Sequence, residues 1–248
     1  MKIGLCLSGG GAKGSYQAGV IKALYDRGIN KFTAISGTSI GSVNGYYLFT
    51  ENVENLEKMW INIQKISENG VNIVNNTVDN SEVINQLDNL KDNKTDKIDF
   101  YVNFVEIKDQ QIKEKVTNLS KVNREEGLKS IKYSSLLPFN HNGKLSFKEQ
   151  FIKDVSEGIY DGYSLDGGLV NNTLIQPLIE DNVDKIILIS TDYNYKLPEE
   201  IKSVDKVDNI IVVKPEVPFE KKDTLRFEPE FCKSRFEEGY GIGKNLSI

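Results

Sequence analysis

Phe32-Thr33-Ala34-Ile35-Ser36-Gly37-Thr38-Ser39-Ile40-Gly41 passes from a short apolar run into a turn of small residues. Phe32–Ile35 reads as a buried strand, and Ile40–Phe49 as a helix that starts directly behind the turn. Working backward, Lys2–Leu7 reads as another short buried strand. Ser15–Arg27 reads as a helix: Tyr16, Val20, Ala23 and Leu24 recur near helical spacing, and Gly28 ends it. Strand, glycine-rich loop, helix, strand, tight turn and helix in this order predict an α/β fold with a mainly parallel sheet covered by helices.

Downstream, Leu56–Ile66 is expected to be a third helix. The chain then becomes rich in Asn and Asp, and residues 62–97 read as a surface excursion with one helix near Val83–Leu90. Such a segment is either a tolerated insertion or a lid that shapes specificity. Ile98–Val105 and Gln111–Leu119, joined by Lys108-Asp109-Gln110, suggest a hairpin or two adjacent strands. Arg124–Tyr133 reads as a helix stopped before Pro138. Lys185–Ser190 and Asn209–Val213 read as further buried strands, and Glu230–Leu246 as a terminal helix interrupted by glycines. With no repeat and no obvious linker, residues 1–248 are expected to form one domain.

The 248 residues are enough to bury a sizeable core, although only 39% are apolar. A net charge of −5 argues against a nucleic-acid binder. The two cysteines, Cys6 and Cys232, give neither a disulfide framework nor metal-ligand spacing, which points to the cytosol. No leader pattern opens the sequence, and no run approaches the ~20 apolar residues of a membrane helix. A lipid substrate would therefore have to be reached from water.

A serine on a sharp strand-to-helix turn projects its hydroxyl out of the sheet, and Gly37 and Gly41 keep side chains out of that turn. The Ile40 N–H, at the start of a helix, suits an oxyanion. Gly9-Gly10-Gly11-Ala12-Lys13-Gly14 follows the first strand, and consecutive glycines let amides converge on one anion. Gly10 and Gly11 are the candidates to complete an oxyanion hole, and Lys13 either orients the loop or adds positive potential. The loop also has the dinucleotide-binding spacing, but the region around Lys31–Ser36 carries no acid for a ribose, and Lys13 precedes Gly14, the wrong order for a phosphate loop.

A nucleophilic serine needs a base. His141 is the sole histidine and sits in the turn-like Asn140-His141-Asn142-Gly143, which reads as an exposed loop. Asp166, held by Gly167 and Gly168, is the better candidate; burial beside Ser39 would raise its pKa into a useful range. Asp161, ahead of Gly162, reads as a turn residue.

In that order, the glycine loop, Gly37-Thr38-Ser39-Ile40-Gly41 and Asp166-Gly167-Gly168 resemble the patatin-like phospholipases. The resemblance extends to Tyr133-Ser134-Ser135-Leu136-Leu137-Pro138-Phe139, similar to the family's Ser-x-x-x-Pro segment, to Asn172, and to Val183–Ile189. It implies a three-layer α/β/α fold. It also implies a lipid acyl hydrolase with Ser39 as nucleophile and Asp166 as base then acid, Gly10, Gly11 and Ile40 holding the oxyanion, and no metal or cofactor. Leu174 departs from a common proline, and Leu136-Leu137 from smaller residues, which bears on pocket shape. Other readings are a non-catalytic lipid- or protein-binding module of the same fold and a nucleotide binder. Lys221-Lys222, Arg226-Phe227, Phe231, Lys233 and Arg235-Phe236 form either a peripheral membrane contact or a packed terminal helix with solvated charges. Leu136–Phe139 either lines an acyl pocket or packs in the core.

Overall fold

A computed structural model describes residues 1–63, 71–93, 98–139, 145–202 and 207–247. His141 and the last residues of the helix expected over 56–66 lie outside them. A seven-stranded sheet forms the centre, in the order β6-β5-β2-β1-β8-β9, with β7 paired to β5. Its strands are β1 (Ile3–Leu7), β2 (Ala34–Thr38), β5 (Asp99–Lys108), β6 (Gln111–Asn118), β7 (Ser164–Asp166), β8 (Lys185–Ile189) and β9 (Ile210–Val213). β1 pairs in parallel with β2 and β8, β2 with β5, and β8 with β9. The hairpin partner β6 and the short β7 run antiparallel to β5. A small two-stranded ribbon, β3 (Ile73–Val74) and β4 (Thr77–Val78), stands apart from it.

Alternation along the strands sorts side chains onto two faces. Leu5, Leu7, Ile35, Ile187 and Ile189 enter one core cluster, whereas Cys6, Ala34, Ile186 and Leu188 enter another. Helices α1 (Gly14–Asp26), α2 (Ile40–Phe49), α3 (Val53–Ile61) and α9 (Pro229–Asn245) supply the first cluster; α7 (Gln176–Glu180) and α8 (Glu199–Lys202) supply the second. Helices thus cover both faces of a mainly parallel sheet. The remaining helices are α4 (Ser81–Asp88), α5 (Arg124–Ser134) and α6 (Phe147–Ser156).

Two expectations are corrected. The strand expected at Phe32–Ile35 lies at Ala34–Thr38, because Ser36 and Gly37 continue the ladder against Cys6 and Leu7, and Thr38 pairs with Asn103. The terminal helix is not interrupted by its glycines. α9 runs unbroken through Gly239, Gly241 and Gly243, and at Gly239 a methyl group would collide with the Tyr16 carbonyl of α1. The glycine sets how closely two helices approach rather than breaking one.

Candidate active site

The strand β5 brings Ser39 and Asp166 together. β2 runs along one edge of β5 until Thr38 faces Asn103. β7 comes the other way along the same edge and ends with Asp166 facing Phe104. Two strand ends therefore meet at adjacent positions of a third strand. Ser39 then leaves the sheet with φ 54 and ψ −124, a conformation rare for any residue but glycine. The Oγ hydroxyl of Ser39 donates to Asp166 Oδ2 at 2.5 Å. Both side chains are buried, Ser39 being 9% exposed and Asp166 4%.

Neighbours hold both residues in place. Ser39 N–H donates to Ser134 Oγ at 2.9 Å, and Asp166 N–H donates to the Leu136 carbonyl at 3.0 Å. The segment after α5 thus supports both members of the pair. Gly168 N–H donates to Asp166 Oδ1 at 2.7 Å, which leaves Oδ2 turned to the serine. Burial raises the Asp166 carboxyl to about 6, partly offset by the bonds from Ser39 and Gly168. A carboxylate so placed is a stronger base than an exposed one.

The glycine loop lies beside this pair. Gly9 N–H is bound to the Asn172 carbonyl at 3.1 Å, and the Gly9 carbonyl accepts Thr191 Oγ1–H at 2.6 Å. Among the described residues, the amides of Gly10 and Gly11 make no loop or cap hydrogen bond. Gly11 has φ 58, and a Cβ there would strike the Thr224 carbonyl. Ile40 is the first residue of α2, so its N–H has no carbonyl of that helix to reach. Gly14 opens α1, Gly37 lies within β2, Gly41 is in the first turn of α2, and Gly167 and Gly168 form the 3-10 turn after β7. Lys13 lines the cleft with its ammonium 6.0 Å from the Phe219 ring centre. Burial lowers its pKa, against attraction from Asp223 and Asp192.

Beneath the loop is a polar network that the sequence reading did not identify. Asn44 Nδ2 donates to the Gly14 carbonyl at 3.0 Å and to Gln17 Oε1 at 2.9 Å, while Trp60 Nε1 donates to Asn44 Oδ1 at 3.0 Å. Gln17 Nε2 reaches the carbonyls of Ser8 and Ile189. One connected set therefore ties α1, α2 and α3 to the ends of β1 and β8. Polar residues at inward positions of apolar helices were the only available signal. Asn103, buried in β5, accepts from Thr38 Oγ1 at 2.8 Å and donates to the Asn171 carbonyl at 2.9 Å, tying the end of β2 to the loop that follows the Gly167–Leu169 turn.

The pair opens into a cleft of about 1870 Å³. The glycine loop, Ser39, Asp166 and, behind Ser39, Val43 and Tyr47 of α2 form its floor; Met59 of α3, Val83 of α4 and Phe151 of α6 line its walls. The described part of the excursion over 62–97 is one of these walls, tied down by Val78 N–H to the Leu137 carbonyl and by Asn80 Nδ2 to Ser135 Oγ. Of Leu136–Phe139, Leu137 lines the cleft, while Leu136 packs into the cluster under α6. Asp161, in the turn between α6 and β7, accepts from Gln110 N–H at 2.8 Å and so braces the β5–β6 hairpin turn. The aromatics of the basic stretch face inward: Phe227 stacks on Trp60 and Phe236 is buried. Among the described residues no group of three or more His, Cys, Asp or Glu is placed to hold a metal ion, and no helix is long and apolar enough to cross a membrane.

Three comparisons bear on this geometry. Over 43 residues, 17% of this chain and 3% of the other, the sequence is 58% identical to lysophospholipase nte1 of Aspergillus terreus. The crystal structure of VipD from Legionella pneumophila has a similar fold, with a TM-score of 0.53 at 14% identity over 98% of this chain and 66% of that one. Each match thus spans less than two thirds of the relative's own length. The patatin-like phospholipase model matches residues 5–179, a stretch that begins in β1, includes the glycine loop, Ser39 and Asp166, and ends in α7. The chain therefore belongs to the patatin-like phospholipase family.

Proposed function

We propose that the chain is a lipid acyl hydrolase, cleaving carboxylic esters through an acyl-serine intermediate. Ser39 Oγ attacks the acyl carbonyl as Asp166 takes its proton. The tetrahedral oxyanion lies against the amides of Gly10, Gly11 and Ile40; one such donor is worth ~3–4 kcal/mol in the transition state. Collapse expels the alcohol, which takes the proton from Asp166. The same carboxylate then draws a proton from water as that water attacks the acyl-enzyme, and the acid leaves with Ser39 restored. Carrying this reading is the Ser39–Asp166 hydrogen bond, buried beside a glycine loop at the floor of a cleft whose walls include Met59, Val83 and Phe151. Family membership supports a lipid ester as the substrate class. The same reading puts the protein in the cytosol and at a membrane surface when it acts, consistent with the unpaired, buried Cys6 and Cys232.

Ser39→Ala is expected to lower kcat on p-nitrophenyl butyrate by about 10⁴-fold or more, and Asp166→Asn by a comparable factor. Labelling of Ser39 by a fluorophosphonate separates this reading from a non-catalytic binding module of the same fold. Wild-type rates in either variant, or an unlabelled Ser39, would refute the dyad.

A further inference from the structure

Phe147 and Ile152 of α6 are 51% and 52% exposed, and Val170 is 54% exposed. Single exposed apolar residues are ordinary. Two of these three line one cleft, and the third adjoins a residue that does. Phe147 and Ile152 both line the cleft above Ser39. Leu169, next to Val170, lines it too and packs against the cluster that contains Phe151. α6 turns Phe151 and Val155 inward; Phe147, one turn before Phe151, and Ile152, next to it, border that buried stripe and stay exposed at the rim of the cleft. Lys148 and Lys153 flank them, with long stems that can lie along apolar surface while the ammonium stays in water. Glu149, the acid beside them, is bound to the amide and hydroxyl of Ser146 in a capping box. Residues 221–236, by contrast, spend their aromatic rings on packing, with Phe227 on Trp60.

We propose that the exposed apolar rim formed by Phe147 and Ile152 of α6, together with Val170, docks on a phospholipid bilayer and seats the mouth of the cleft against it. The inference rests on the reading of the chain as a lipid acyl hydrolase. It follows from continuity: Phe147 and Ile152 belong to the lining of the cleft that leads to Ser39. An acyl chain drawn from a docked bilayer enters the cleft without its methylenes crossing water.

Trp60 is the sole tryptophan and is fully buried, and the Ser39→Ala chain without the added tryptophan gives its emission background on the same vesicles. In the Ser39→Ala chain, Ile152→Trp is expected to give blue-shifted emission on vesicles of phosphatidylcholine and phosphatidylglycerol, quenched by brominated acyl chains. The double variant Phe147→Asp/Ile152→Asp is expected to co-sediment with those vesicles about tenfold or more less than the parent. Its melting temperature shows whether it folds; if it does not, Val170→Asp is scored in the same way. Emission of the Ile152→Trp variant that vesicles leave unmoved, or undiminished co-sedimentation of the folded aspartate variants, overturns the proposal. So does a dimer in sedimentation velocity that these variants dissolve, since the face would then meet a second copy. Ester hydrolysis on soluble substrate without vesicle binding sinks this inference alone, whereas an unreactive Ser39 sinks the reading beneath it.

Discussion

The floor and the walls of the cleft are built differently. On the floor, every residue of α2 from Ile40 to Phe49 is buried, and the Asn44–Gln17–Trp60 network satisfies the polar groups enclosed there. In the walls, α4 buries only Leu87, and α6 buries Phe151, Asp154 and Val155. Reacting groups are thus set on elements fixed from several directions, while the surfaces that meet the substrate rest on one thin layer of contacts. Strain such as that at Ser39 persists only where surroundings over-determine it, and only the floor does so. The walls can be re-cut without disturbing the pair below.

The sharpest way to break this contrast is Asn44→Ala. It strands the Trp60 N–H, the Gln17 carbonyl oxygen and the Gly14 carbonyl in the interior. The expected cost is roughly 3 kcal/mol, read as a fall in Tm of roughly 6–12 °C by circular dichroism. A Tm within a degree of wild type would show that the floor is no better determined than the walls.

Asp166 gives a prediction of the opposite sign. Its carboxyl is held at about 6 against an ordinary 3.8, so the folded state disfavours the charged form. That penalty is absent below 3.8, grows as pH rises to about 6, and is constant above. Asp166→Asn removes it, and at pH 7 should gain on the order of 2–3 kcal/mol in urea unfolding while losing activity. The kcat/KM of the wild type on a soluble ester should rise with pH through an apparent pKa near 6. Equal urea midpoints for the two proteins at pH 7 would argue against a strained carboxylate.

The smallest effect belongs to a wall. Val83→Ala, in α4, should cost no more than about 1 kcal/mol. It should also lower the kcat/KM ratio of long-chain to butyrate esters by roughly threefold to tenfold. Loss of both activities together would mean that the walls also position the chemistry.

Much of the floor was legible because its devices are local. A strand running into Gly37-Thr38-Ser39-Ile40-Gly41 and a glycine loop ahead of a helix announce themselves within a few residues. How Ser39 finds Asp166 was not legible, because it depends on the register of three strands and on β7, which is too short to have a pattern. The network at Asn44 was hidden for a related reason: its members are 27 and 16 residues from Asn44, and each alone looks like an ordinary amide or indole. α6 is a different kind of miss. Ser146-Phe147-Lys148-Glu149 is a capping-box sequence ahead of Phe151, Ile152 and Val155, and it marks the helix that the sequence reading passed over. In the described part of the excursion over 62–97, the periodicity is weak because its one helix, α4, buries only Leu87.

The meeting of β2 and β7 on β5 has an evolutionary corollary. Ser39 and Asp166 lie 127 positions apart, yet their separation is gauged by two neighbouring rungs, Asn103 and Phe104. Surface loops in the intervening stretch can lengthen, shorten or acquire whole new modules while that gauge stays the same. Substrate range can therefore diversify by editing the periphery, with no need to re-invent the spacing of the reacting atoms.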